Sequence, residues 1–253
     1  LDPTDSISCP VVPGPNAPGI TPEQAQAELA AIIANPNCFV FNELFPGGFT
    51  PRFGGNLNDI AGTGGVRGEF DFGLYYDISA SAGRNEINFI IENTVNAALG
   101  PNTPTTFRPG TYVQLEKQVN IDLSYPIELD YFASPLNVAT GFEWREEQFE
   151  IRAGDPASFG SDFADQGFTP GSNGFSGFSP DIAGTFDRKN VAFYIDLEAD
   201  VTENLIIGAA GRVEDFTDFG TTTNGKFSAL YNVNDYITFR GTYATGFRAP
   251  TPG

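Results

Sequence analysis

The sequence predicts an all-β protein, an antiparallel up-and-down transmembrane β-barrel segment of about eight strands. Three observations predict it. Apolar and polar residues alternate along about eight segments, the 253 residues include 29 Gly, 24 Phe and 9 Tyr, and the connections between the segments differ consistently in length. Alternation with a period of two gives a strand one apolar and one polar face. Most segments have the ~9–11 residues that a tilted strand needs to cross a bilayer.

The charge balance and the absence of histidine exclude several classes of function. The sequence has 32 acidic and 13 basic residues, a net charge of −19, which repels a polyanion such as nucleic acid. It has no histidine, the commonest metal ligand and the usual acid–base group at neutral pH. These two features argue against a nucleic-acid partner, a zinc enzyme and a Ser-His-Asp hydrolase. We expect no metal site, no cofactor and no catalytic residues.

Residues 1–55 differ in kind from the rest and are predicted to be an extracellular loop with a short helix. Thr21 is the expected N-cap, with Pro22 in the first turn and Gln24 completing a capping box. Cys9 and Cys38, the two cysteines of the chain, bracket this helix. An oxidising compartment favours a disulfide between them, and the alternative is two unrelated free thiols.

Residues 56–253 are predicted to form the partial barrel. The clearest strand is 112–125, whose odd positions are apolar except Lys117 and whose even positions from Gln114 to Ser124 are polar. Lys117 lies toward the long-loop end, where its ammonium group could reach interfacial phosphates. The predicted strands are 57–68, 73–92, 112–125, 136–144, 191–201, 205–217, 225–233 and 235–247.

The connections between these strands fall into two sets. Short ones are expected at 69–72, 126–135, 202–204 and 234, and long ones at 93–110, 153–189 and 218–224. Outer-membrane barrels show this asymmetry, with short periplasmic turns and long extracellular loops. This arrangement places both chain ends on the extracellular side, whereas a bacterial barrel normally has its ends in the periplasm. We therefore expect a fragment that begins and stops within extracellular loops.

Acidic side chains recur on the polar strand faces. Glu143, Arg145 and Glu147 share one face of a strand, as do Asp196, Glu198 and Asp200. Neighbours at i and i+2 on a strand are ~6.6–6.8 Å apart, which touches the carboxylate separation of inverting glycosidases. The alternative is a barrel wall on which opposite charges neutralise one another across strands. Because the same pattern recurs on nearly every strand, we favour the barrel wall.

The connection before the fifth strand contains a Gly- and Ser-rich segment, FGSDFADQGFTPGSNGFSGFSP, with aromatic residues spaced along it. They are candidate ligand contacts: Phe159, Phe163, Phe168, Phe175 and Phe178. The alternatives are that they pack the loop against its neighbours or that the loop is partly disordered. Asp215 and Asp218, near the end of the sixth strand, could hold Ca²⁺ together with lipopolysaccharide phosphates. Their spacing does not match a calcium loop, so a solvated strand end is the favoured interpretation.

The segment YATGFRAPT near the end of the chain resembles the strand-to-loop signature of TonB-dependent outer-membrane receptors. The matching residues are Thr245, Gly246, Phe247, Arg248, Ala249 and Pro250. The resemblance implies a 22-stranded barrel of which this sequence is an incomplete part, without the N-terminal plug or the TonB box. It also implies the outer membrane of a Gram-negative bacterium and active uptake of a siderophore, cobalamin or oligosaccharide. The implied partners are outer-membrane lipid, lipopolysaccharide, that ligand, and TonB through the absent plug.

Two other functions stay open at this point. One is a small, self-closed eight-stranded outer-membrane protein with a structural or adhesion role. The other is a soluble secreted β protein with carbohydrate-directed activity. If the chain folds as a water-soluble monomer, the soluble secreted protein is favoured and both membrane hypotheses are removed.

Overall fold

The computed structural model describes Cys9, residues 19–250 and Pro252. Its helices are α1 (Pro22–Ile33) and the short α2 (Pro156–Phe159), with 3₁₀ turns at Phe41–Glu43, Ala97–Asn102 and Ala164–Gln166. The strands are β1 (Arg52–Glu69), β2 (Tyr75–Glu92), β3 (Thr106–Ile127), β4 (Leu136–Ala153), β5 (Gly184–Thr202), β6 (Leu205–Phe216), β7 (Gly220–Asn234) and β8 (Ile237–Ala244).

The strands form one sheet in which each strand pairs with its neighbours in sequence. The order is β1 to β8 without a crossover, and β8 does not pair with β1, so the sheet is open within the described residues. Consecutive strands from β5 to β8 are antiparallel. The prediction of an all-β, up-and-down, partial barrel is confirmed.

The two faces of the sheet have opposite polarity in β5 to β8. Phe193 lies opposite Val213, and Tyr231 lies opposite Phe239. These four side chains are all exposed, between 45% and 65%. On the other face Tyr194 lies opposite Arg212. An exposed row of large apolar side chains is expected where lipid, rather than a second protein layer, covers the face.

One predicted connection is wrong. Residues 218–224 were expected to form a long loop, but β7 begins at Gly220 and the link from β6 is only residues 217–219. Thr221 pairs with Asp215 and Thr223 pairs with Val213. The ladder of backbone hydrogen bonds thus continues through a threonine-rich segment in which apolar alternation has already ended. The other two long connections, 93–105 and 154–183, are present.

The described residues divide into two compact units. The first contains those up to Leu57 together with Ile87–Tyr112 and Ile151–Gly184. The second contains Asn58–Glu86, Val113–Glu150 and the described residues from Thr185 onward. In the first unit the fully buried side chains include Ile91, Ala98 and Phe107. Its core therefore lies where long connections meet strand ends. The second unit holds most of the sheet and has few buried apolar residues.

The short helix predicted near the N-terminus, its capping box and the predicted disulfide are present in the structure. The Thr21 hydroxyl accepts a hydrogen bond from the Gln24 N–H, and the Gln24 side chain accepts one from the Thr21 N–H. Cys9 and Cys38 form a disulfide, with their Cα atoms 5.3 Å apart. No helix within the described residues is long and apolar enough to cross a membrane.

Candidate functional site

The two long connections of the first unit are joined through one buried asparagine. The Asn96 amide donates to the carbonyls of Ala157 at 2.8 Å and Gly160 at 2.9 Å, and its oxygen accepts from the Ala98 N–H at 3.1 Å. Asn96 is completely buried. A buried amide that satisfies all these groups fixes a single arrangement, because any other would leave polar atoms without partners.

The 154–183 connection is also folded onto itself at Ser158, which is fully buried. The Ser158 carbonyl accepts from the N–H groups of Ser172 at 3.0 Å and Gly177 at 2.8 Å. The Asp155 carboxylate caps α2 through the Ser158 N–H at 2.8 Å and accepts from the Arg108 N–H at 2.7 Å. Gly177 has no room for a side chain, since a Cβ there would collide with the Ser158 hydroxyl. The connection is therefore an ordered element with its own hydrogen-bond network.

An aromatic cluster lies in the same unit. The ring of Phe175 is 4.4 Å from that of Phe53 and 5.3 Å from that of Phe89, and the ring of Phe178 stacks on Tyr112 at 4.8 Å. These separations are typical of aromatic pairs that contribute beyond their buried area. Three of the five residues come from strands, and nothing in the sequence placed them beside the loop.

The five predicted loop phenylalanines do not share one surface. Phe175 and Phe178 belong to the aromatic cluster, and Phe168 makes an edge contact with Phe41 at 6.4 Å. Phe159 and Phe163 are half-buried, and the Phe163 N–H donates to the Ala98 carbonyl at 2.8 Å. At least three of the five thus pack against neighbouring aromatic rings. Phe168 and Phe175 also line an open space.

That space is an open hollow of about 480 Å³ in the 154–183 connection. Its lining contains no charged residue: Ala97, Gly167, Phe168, Thr169, Pro170, Gly171, Ser172, Asn173, Gly174, Phe175 and Ser176. Gly167, Gly171 and Gly174 all have φ between 88° and 96°, a conformation that favours glycine. The loop hollow, as we call it, therefore offers two aromatic rings together with hydroxyl, amide and backbone groups.

In the second unit, the six-residue motif that follows β8 is tied to its neighbours at both ends. The Thr245 hydroxyl accepts from the Gly225 N–H at 2.9 Å, and the Thr245 N–H donates to the Gly225 carbonyl at 2.9 Å. The Phe247 ring is 5.8 Å from Phe216 and 5.9 Å from Phe219. Gly246 and Arg248 are exposed and Ala249 is half-buried.

The far end of the motif is held by Arg188 of β5. Its guanidinium donates to the Pro250 carbonyl, pairs with Asp218 at 2.8 Å, and lies 4.7 Å from the centre of the Phe219 ring. Glu147 is 3.6 Å away. Arg188 is only 3% exposed, so this buried cation is satisfied from several chain segments at once. Its hydrogen bonds hold the pKa of the Asp218 carboxyl below its usual range. Asp218 is thus half-exposed but paired with an arginine, which the sequence did not indicate. We call Arg188 and its partners Asp218, Glu147, Phe219 and the Pro250 carbonyl the motif clasp.

Several charged side chains of the polar sheet face pair with one another. Glu143 pairs with Arg145 at 3.0 Å and with Arg212 at 3.2 Å, and Arg212 also pairs with Glu214 at 2.8 Å. The Tyr194 hydroxyl donates to Asp122 at 2.6 Å. Paired carboxylates of this kind favour the barrel-wall interpretation over an acid–base pair. Among the described residues, no three His, Cys, Asp or Glu side chains are grouped to hold a metal ion.

An open meander with an exposed apolar face and a charge-paired polar face is the wall of a β-barrel. The family model described as TonB dependent receptor-like, beta-barrel, matches residues 34–253. The chain belongs to this family. TonB-dependent receptors are outer-membrane proteins of Gram-negative bacteria and act as transporters rather than enzymes.

Solved structures support the same fold. The siderophore receptor PirA from Acinetobacter baumannii matches with a TM-score of 0.54 and 18% identity, over 77% of this chain and 26% of that one. The RagAB peptide transporter matches with a TM-score of 0.54 and 13% identity, over 77% of this chain and 23% of that one. The ferric enterobactin receptor PfeA from Pseudomonas aeruginosa, in complex with BCV-L6, matches with a TM-score of 0.52 and 15% identity, over 77% of this chain and 26% of that one. The chain thus spans about a quarter of their lengths. No curated protein sequence matches significantly.

Proposed function

We propose that this chain is part of the barrel of an outer-membrane receptor that takes up a scarce ligand in a TonB-dependent manner. The observation that carries the proposal is the family match over residues 34–253 on an open sheet whose apolar face is exposed. The ligand is a siderophore, cobalamin or an oligosaccharide. The open sheet and the quarter-length match to known receptors support a longer barrel of which these eight strands form one part.

In this proposal the apolar face contacts outer-membrane lipid. The charge-free row of Phe193, Val213 and Tyr231 supports that assignment. Lys117 and Lys189 flank Glu146, with Nζ to carboxylate distances of 3.4 and 3.8 Å, and both lysines remain about half exposed. Two lysines sharing one carboxylate leave positive charge for the phosphates of lipopolysaccharide.

The long connections supply the ligand-facing side, and the ordered 154–183 connection is the main candidate. Residues 1–55 extend this extracellular part, and residues 56–253 supply the wall. In this proposal TonB acts through the plug domain of the complete receptor. The described segment therefore contributes ligand contacts and wall, while coupling to the proton gradient belongs to the complete receptor.

The test is uptake in the native host. Deletion of the gene that encodes the complete receptor is expected to abolish high-affinity uptake of one labelled ligand, and deletion of tonB is expected to have the same effect. The complete receptor restored on a plasmid should recover uptake only in cells with TonB. Uptake that persists without the receptor, or that is indifferent to TonB, would contradict the proposal.

The self-closed eight-stranded alternative has less support, because β8 does not pair with β1 within the described residues. A soluble carbohydrate-directed enzyme is disfavoured by the exposed apolar face and by the pairing of Glu143 with two arginines.

A further inference from the structure

We infer that the loop hollow binds an uncharged, hydroxyl-rich ligand, a neutral oligosaccharide, in preference to an anionic ferric chelate. The inference rests on the proposed uptake function and specifies its ligand class. The site consists of the rings of Phe168 and Phe175 and the polar groups of Thr169, Asn173 and Ser176.

The charge around the hollow is the first argument. Its lining has no charged side chain. The charged residues of the 154–183 connection are all acidic, namely Asp155, Asp162, Asp165 and Asp181, and the 93–105 connection has none. A multiply negative chelate would find no arginine or lysine here and would meet an acidic surround, which costs affinity.

The chemistry of the lining is the second argument. Sugar rings present apolar C–H faces and a rim of hydroxyl groups, so they suit an aromatic wall beside hydrogen-bonding groups. Phe168 and Phe175 are half-buried and held by ring contacts with Phe41, Phe53 and Phe89. Thr169, Asn173 and Ser176 are exposed. These side chains can therefore donate to and accept from a ligand without first breaking a buried contact.

The rigidity of the hollow is the third argument. The Asn173 N–H donates to the Val95 carbonyl at 2.9 Å, and the Asn173 carbonyl accepts from the Thr94 hydroxyl at 2.8 Å. The Ser172 hydroxyl donates to the Phe175 carbonyl at 2.6 Å. A Cβ on Gly174 would come within 3.0 Å of the Pro51 side chain. These contacts hold the backbone before any ligand arrives, which lowers the entropic cost of binding. The volume of about 480 Å³ is that of an ordinary ligand site.

In the experiment, the complete receptor in detergent is titrated with a panel of neutral oligosaccharides of about four to seven sugar units. A ferric tris-catecholate serves as the anionic comparison ligand. The hollow variants are Phe168→Ala and Thr169→Val. Their matched controls are Phe163→Ala, in the same connection outside the hollow, and Thr105→Val, an exposed threonine of the other connection. Hydrogen exchange over residues 154–183 verifies that each variant keeps the loop folded.

The expected result is that at least one oligosaccharide binds and that each hollow variant weakens its binding roughly fivefold or more, the value of one neutral hydrogen bond or ring contact. The controls should stay within about twofold, which is less than such a contact contributes. The inference is overturned if no neutral oligosaccharide binds, or if the catecholate binds and the hollow variants weaken it. If the receptor takes up a chelate in a TonB-dependent manner and the hollow variants do not change that uptake, this inference is wrong and the transport proposal stands. If an oligosaccharide binds in the hollow but is not taken up in a TonB-dependent manner, the transport proposal is wrong and this inference stands.

Discussion

Arg188 and Asp218, thirty residues apart in the chain, form a two-pronged ion pair in which Nε lies 2.9 Å from Oδ1 and Nη2 lies 2.8 Å from Oδ2. The pair closes the motif clasp, because the same guanidinium donates to the Pro250 carbonyl. The segment TGFRAP thus has a physical role in this chain. Thr245 fixes where it leaves β8, Phe247 packs against the β6–β7 link, and Arg188 holds its end.

Replacing Arg188 with methionine is expected to lower the free energy of unfolding of the complete receptor by about 2–3 kcal/mol, because Asp218 and the Pro250 carbonyl lose a charged donor. Amide exchange of residues 245–249 should accelerate. The matched control is Arg240→Met, an exposed arginine of β8. Equal effects of both substitutions on the motif would show that the clasp has no special role.

The clasp also predicts a pH dependence. The pKa of Asp218 is lowered by its hydrogen bonds to Arg188. A lowered pKa means that the stabilisation is complete above the unfolded-state pKa of about 3.9 and is lost as the pH falls through the folded-state pKa. Thermal unfolding of the receptor and of its Asp218→Asn variant between pH 2.5 and 7 should therefore converge at the acidic end. Melting curves separated by a constant interval over the whole range would exclude this linkage.

The disulfide predicts a local effect on α1. Substituting both Cys9 and Cys38 with serine removes a cross-link between residues 29 apart, which stabilises by about 3–4 kcal/mol in the chain-entropy model. We expect faster amide exchange throughout Pro22–Ile33, while exchange in β6 is unchanged. Unaltered protection of α1 in the double variant would mean that other contacts suffice to hold the helix.

Gly141 of β4 is expected to be intolerant of any side chain. A Cβ there would lie 2.6 Å from the Asp122 carboxylate and would also collide with the Tyr194 ring. Tyr194 of β5 reaches across Gly141 to Asp122 of β3, so the glycine lets one tyrosine join strands on either side. Gly141→Ala should cost about 1–3 kcal/mol of unfolding free energy. Gly211→Ala in β6, where nothing lies within 4 Å, is the control and should be close to neutral.

The sequence predicted the sheet far better than it predicted these contacts, and the reason is physical. Alternation is a local property, so the eight strands could be predicted from it, and their up-and-down order could be predicted from the connections between consecutive strands. The start of β7 could not, because residues such as Thr221 and Thr223 pair through the backbone, where side-chain polarity carries no signal. The motif clasp joins Arg188 to Pro250, 62 residues away, and such a contact leaves no local pattern.

The candidate ligand site shows the same difference between local features, which could be predicted, and long-range contacts, which could not. The Gly- and Ser-rich composition with spaced phenylalanines indicated a special loop at the right place in the chain. It could not indicate that Phe178 packs on Tyr112 while Phe168 lines a hollow. That arrangement depends on the hydrogen bonds of the buried residues Asn96 and Ser158. Short polar residues of this kind look the same in a solvated loop and in an ordered one.

The final prediction concerns the apolar face. Phe193, 59% exposed and opposite Val213, lies in the middle of β5. If lipid covers it, Phe193→Arg should cost about 2–4 kcal/mol, the penalty for arginine near the bilayer midplane, and should slow folding into liposomes. Phe193→Leu should be nearly neutral, because it keeps an apolar surface. Thr242→Arg in β8, on the opposite and polar face, should be tolerated better than Phe193→Arg. The measurement is the fraction of receptor that becomes heat-modifiable on gels after refolding into vesicles.

If Phe193→Arg refolds normally and Thr242→Arg does not, the assignment of the two faces is reversed. The reason is that arginine is destabilising on the face that contacts hydrocarbon, whereas water solvates its charge on the other face.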